Sequence, residues 1–139
     1  MIRGKFLPNN ELAIIEDGVV NLFDLGGKFK GTSSDLAKYM SGALNFKYIS
    51  ILSTPKSFEV ACFNNDKMRR FQGIGVPTDY ALKIQMQGGL TRILHKTGRV
   101  NNTSYNQLIF LYPENKDIDY IINSLGLKEI KEWELQHKN

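Results

Sequence analysis

Cysteine is almost absent from this 139-residue chain, and histidine nearly so. Cys62 stands alone, so no internal disulfide can form, which suits a reducing cytoplasm. With His95 and His137 as the only imidazoles, a zinc site of cysteines and histidines is excluded for a monomer. Long apolar runs are missing too. Stretches such as "LIFLY" (residues 108–112) fall far short of the roughly 20 residues that cross a bilayer. Arg3 and Lys5 are not followed by an apolar run, so no secretory signal is expected. Nor is there an internal repeat, a low-complexity tract or a Pro/Ser-rich linker. A hydrophobic content of 42% with 23% charged residues is that of one globular domain, residues 1–139.

Acidic residues are scarce in one block. Residues 1–66 carry seven Lys/Arg and seven Asp/Glu, whereas residues 67–106 carry seven Lys/Arg against Asp79 alone, and residues 107–139 carry four against six. Cations clustered in this way create a local field that attracts anions.

The apolar pattern predicts an α+β fold: a mostly antiparallel sheet of several hairpins, with one central helix and one or two C-terminal helices packed on it. "IRGKFL" reads as a strand. "ELAIIEDGVVNLFDL" reads as a hairpin about Asp17-Gly18, a pair suited to a type I′ turn. That register places Leu12, Ile14, Val19 and Phe23 on one face and Ala13, Ile15, Val20 and Leu22 on the other, so cover is expected on both sides. "TSSDLAKYMSGAL" reads as a helix capped by Thr32 or Ser33. "FKYISIL" and "SFEVACF" form a second hairpin that points Cys62 inward with Val60 and Phe58. "TSYNQLIFLY" is a buried strand. The last apolar helix starts near Asn115 and ends at Gly126, and "LKEIKEWELQHKN" is a second short helix or a tail anchored by Leu127, Ile130 and Trp133.

Gly88-Gly89 is a two-residue hairpin signal between "DYALKIQMQ" and "LTRILHK". Pairing across it puts Tyr80, Leu82, Ile84 and Met86 on the core side with His95. Lys83, Gln85, Gln87, Arg92 and Lys96 then form an opposite face without a carboxylate. Such cations and amides donate to phosphate oxygens or base edges. "KMRRFQGIGVP" (67–77) adds a basic lip: Lys67, Arg69 and Arg70, with Phe71 able to stack on a ring. Arg99 extends this surface. Gly73-Ile74-Gly75 lacks a third glycine, and Pro77 is read as opposing a helix start, so no dinucleotide-binding loop is assigned.

Catalytic constellations are absent. The acids lie in turns, at helix starts or in the C-terminal segment, and no nucleophile elbow occurs. No cofactor and no metal site are expected. Residues 106–126, "NQLIFLYPENKDIDYIINSLG", resemble the final strand and helix of a profilin, and "AIIEDGVV" resembles its early hairpin. The resemblance covers about a third of the chain and carries no site residue.

These features favour a small, cytoplasmic, non-enzymatic binding protein. Its basic hairpin surface (Lys67, Arg69, Arg70, Phe71, Lys83, Gln85, Arg92, Lys96 and Arg99) would hold nucleic acid or a phosphate-bearing nucleotide. The alternative is a protein-protein module, an inhibitor or accessory factor of phage or mobile-element type or a profilin- or longin-like sandwich, whose partner presents an acidic surface. Self-association is compatible with either reading.

Overall fold

The computed structural model describes residues 2–89 and 92–131. Ten strands and three helices follow one another in the order β1 (Ile2–Phe6), β2 (Leu12–Glu16), β3 (Val19–Phe23), β4 (Phe29–Ser33), α1 (Leu36–Met40), β5 (Leu44–Ser53), β6 (Phe58–Asn64), β7 (Lys67–Gln72), α2 (Pro77–Gly88), β8 (Arg92–Val100), β9 (Thr103–Pro113), α3 (Asp119–Ser124) and β10 (Lys128–Glu129). The fold is α+β on one antiparallel sheet, as the pattern predicts. No helix among the described residues is long and apolar enough to cross a membrane.

β5 is the branch point of the sheet. One edge pairs with β9 over Phe46–Ser53. The other edge is divided, taking β1 at Leu44–Phe46 and β6 at Tyr48–Ser53. From β1 the sheet runs on through β2, β3 and β4, and it curls until the turn before β4 meets β8. There the His95 amide donates to the Gly27 carbonyl at 2.7 Å, and Lys28 bridges His95.

Strand alternation sorts the apolar residues into three cores. Inside the curl lie Ile2, Leu12, Ile14, Phe23, Tyr48, Leu94 and Leu111. Beneath α2 and α3 lie Ile49, Ile51, Val60, Cys62, Phe110 and Tyr112. Outside the first hairpin, Ala13, Ile15, Val20 and Leu22 pack on Leu36, Tyr39 and Met40 of α1. The two-faced hairpin is therefore covered on both sides, in the predicted register: Leu12 faces Phe23 and Ile15 faces Val20. The β5–β6 hairpin also keeps its expected register, Ile49 facing Cys62.

Four local expectations are corrected. Residues 77–88 form a helix, so no hairpin turns at Gly88-Gly89. Pro77 sits in the first turn, where its missing N–H costs no hydrogen bond and its fixed φ suits the helix, and Asp79 complements the dipole there. The buried positions Ala81, Ile84 and Gly88 have helical spacing, and Gly89, at φ 68°, ends the helix. Gly88 faces Tyr112 so closely that an added Cβ would lie 2.6 Å from the hydroxyl.

Residues 67–72 are the strand β7 rather than a loop. It turns back from β6 at Asn65-Asp66, both with positive φ. Thr32 and Ser33 belong to β4 or its end, and the cap of α1 is Asp35, which accepts from the Lys38 amide. Finally, α3 begins at Asp119, not near Asn115, and Lys128–Glu129 add a strand to β7. Trp133 lies outside the described residues.

Candidate functional site

The basic residues do not assemble into the acid-free face expected of them. Arg69 is neutralised from the last strand: its Nε and Nη2 donate to the Glu129 carboxylate at 3.1 and 3.3 Å, and Asp119 lies 3.8 Å away. Arg70 forms a two-point pair with Glu59 of β6, one arm at 2.9 Å. Phe71 is buried under the helices, beneath the Arg69 guanidinium, and cannot stack on a ligand ring. Lys67 is exposed on β7. These two arginines stabilise the join between β10, β7 and β6 and form no mobile lip.

The hydrogen bonds from Arg69 hold the Glu129 carboxyl below the ordinary carboxylate range. A depressed folded-state pKa contributes stability above the unfolded value, and that contribution is lost as pH falls through the folded one. Both partners are partly solvated, so Arg69→Gln is expected to cost about 0.5 kcal/mol at pH 7. Urea denaturation should show the difference between variant and parent shrinking below about pH 4.

Lys83 and Gln85 are exposed on α2, two positions apart and so on different sides of the helix. β8 does not pair with them; its partner is β9, across Asn101-Asn102. Arg92 and Lys96 share the Leu94 face of β8, which points into the curl. Lys96 donates to the Asn21 side chain at 3.2 Å and lies over the Phe29 ring. Arg99 donates to the Asn102 carbonyl at the hairpin tip. His95, expected among the core residues, is exposed and bonded to Asn106.

Nucleophilic and metal chemistry find little support. Burial pushes the Cys62 thiol up to about 12, which keeps it protonated and inert. Among the described residues, no three His, Cys, Asp or Glu side chains come together as a metal site.

One of the nine expected residues does border a substantial cavity. Arg92 lines an open cleft of about 1140 Å³, where the ends of β1, β5, β8 and β9 meet the turn between β3 and β4. The turn is seated by glycine. Gly27 has φ +91°, and a Cβ there would lie 2.1 Å from the Ile93 carbonyl, so only glycine lets this backbone reach β8. Arg92 then ties the turn down. Its Nη2 donates to the Asp24 and Leu25 carbonyls, each at 3.1 Å, and its guanidinium lies 5.7 Å from the Phe6 ring centre.

The walls of the cleft are apolar. Phe46, Ile93 and Leu111 line it, and Phe6, Leu25 and Leu44 stand 55%, 63% and 57% exposed around it. The polar lining is sparse, and part of it lacks partners. Among the described residues, five buried side-chain nitrogen or oxygen atoms have no hydrogen-bond partner. Three of them, Arg92 Nε, Asn45 Oδ1 and the Tyr112 hydroxyl, belong to residues of this cleft. All three atoms are sealed from solvent, and the Tyr112 hydroxyl lies against Gly88 of α2, so they belong to the packing behind the cleft wall. Burial pushes the Tyr112 phenol up to about 12, so it remains a neutral donor at physiological pH. Arg92 has no carboxylate within ion-pair distance among the described residues.

Sequence reasoning named Arg92 for a different surface and missed the rest of the lining, which comes from separate segments. Comparison of the chain with protein-family models, with curated proteins and with solved structures gave no match.

Proposed function

We propose that this protein is a small, cytoplasmic, non-enzymatic binding protein that holds an anionic molecule with an apolar body in the cleft beside Arg92. One observation carries the reading. A cation with no carboxylate partner among the described residues borders an open cleft of about 1140 Å³ whose lining is mainly apolar. A concave apolar pocket with a few convergent polar groups is the usual form of a small-ligand site. The anion preference first read from the basic block is retained, but its seat moves from a hairpin surface to a cleft. Nucleic acid is disfavoured, because Arg69 and Arg70 are already paired with acids and Lys83 and Arg92 do not share a surface array.

Anilinonaphthalene sulfonate, an apolar body with one negative charge, is a suitable probe. Titrated into labelled protein and followed by amide chemical shifts, it is expected to saturate at one site. The shifts should centre on residues 6, 25–26, 44–46, 92–93 and 111–115. Shifts centred on β7 and α2 would refute the reading, as would binding that never saturates.

A further inference from the structure

We infer that the ligand's acidic group is a single carboxylate and that its body is an aliphatic chain. This rests on the cleft being the binding site, and it assigns the chemical class of the occupant.

The charge of the lining sets the charge of the ligand. Arg92 is the one cation among the cleft's described lining residues, and Glu114 is the one anion. Glu114 accepts from the neutral Asn45 Nδ2 at 3.3 Å, which orients its carboxylate but leaves its charge, so the lining holds no surplus of cations for a dianion. A carboxylate brings one negative charge and two acceptor oxygens, matching one guanidinium. A phosphate monoester brings −1.5 to −2 charges near neutrality and three acceptor oxygens. Its second charge would meet no counter-ion in the cleft, only the Glu114 carboxylate. Lys47, itself 94% buried, cannot supply one directly. It lines a neighbouring recess of about 190 Å³, and Asn45, Phe46 and Glu114 border both spaces.

The donors agree with this assignment. Arg92 spends Nη2 on two backbone carbonyls, its Nε is sealed from solvent, and among the described residues no acceptor meets Nη1. Nη1 is then the nitrogen left to donate to a carboxylate oxygen, while Nη2 stays on the turn. A neutral ligand would leave the guanidinium without a counter-charge in an apolar site, which is unfavourable.

The remainder of the lining asks for hydrocarbon. Phe6, Leu25, Leu44, Phe46, Ile93 and Leu111 offer rings and branched chains but few hydrogen bonds. A sugar or a nucleoside would place hydroxyls and ring nitrogens against walls that cannot satisfy them. An alkyl chain has no such requirement, and each buried methylene strengthens binding.

Calorimetric titration with hexanoate, octanoate, decanoate, methyl decanoate and decyl phosphate, all below micelle-forming concentrations, tests the assignment. Affinity is expected to rise about fourfold per added methylene. Methyl decanoate, lacking the charge, should bind at least tenfold more weakly than decanoate, and decyl phosphate more weakly than decanoate as well. The comparison changes only the ligand, so it does not depend on a variant that folds. Decyl phosphate binding more tightly than decanoate would overturn the carboxylate while leaving the cleft reading in place. An ester as tight as the acid would remove Arg92 from recognition. If no member of the series binds but the sulfonate probe still maps to the cleft, the aliphatic class falls alone; if neither binds, both readings fall.

Discussion

Gly27→Ala is expected to destabilise the fold by about 3 kcal/mol, a fall in Tm of roughly 10 °C for a domain of this size. Two effects add. A non-glycine residue in the left-handed region costs about 1–2 kcal/mol, and Gly27 has φ +91°. The new Cβ would also lie 2.1 Å from the Ile93 carbonyl, which is backbone and cannot rotate away. Relief requires the turn to lift off β8, with loss of the His95–Gly27 hydrogen bond and of the two that Arg92 gives to residues 24 and 25. Gly18→Ala is the control. That glycine also has positive φ, 76°, but nothing lies within 4 Å of its added Cβ, so only the conformational cost applies. Thermal melts of both variants separate strain from collision. Equal losses would show that the turn is not seated on β8 and that the cleft lacks this wall.

The parts of the fold legible in the sequence are those fixed by neighbours in the chain. Asp17-Gly18 selects its turn and hence the pairing of β2 with β3, because a type I′ turn leaves one register. The β5–β6 hairpin and the buried β9 followed from apolar alternation over local segments. The failures have a common origin in longer-range effects. Tyr80, Leu82, Ile84 and Met86 alternate with polar residues and so imitate a strand, yet Leu82 and Met86 are exposed, and burial follows Ala81, Ile84 and Gly88. What distinguishes the helix is Pro77 at its start and the close approach of Gly88 to Tyr112, a residue far along the chain. β7 reads as a loop because it is so highly charged. Its arginines are compatible with a strand because Glu59 and Glu129 arrive on the two flanking strands. No local signal announces that arrangement.

The same limit applies to the cleft. Its lining residues come from β1, the β3–β4 turn, β5, β8 and the end of β9, and they become a site only when the sheet curls. The excess of cations in residues 67–106 was visible, but which cation stays unpaired depends on where the acids fall in space.

The second large effect expected is loss of anion binding in Arg92→Glu. The substitution removes a charge-assisted donor, worth about 1.5–3 kcal/mol, and adds a second carboxylate to the lining that already holds Glu114, so a ligand anion meets repulsion where it met attraction. Affinity for the sulfonate probe should fall by roughly 100-fold or more, since 2.7 kcal/mol corresponds to two decades. Arg92→Lys keeps the charge but not the fork. It should hold an intermediate affinity, which separates electrostatics from simple damage to the wall. Lys83→Glu makes the same change of charge on the exposed face of α2, away from the cleft lining, and should alter affinity less than twofold.

The most direct measurement is therefore the dissociation constant of the probe for four proteins, the parent, Arg92→Glu, Arg92→Lys and Lys83→Glu, each first shown to melt cooperatively. The cleft account predicts a steep loss at position 92 graded by charge, and none at position 83. Equal affinities across the four, or a greater loss at Lys83 than at Arg92, would contradict it.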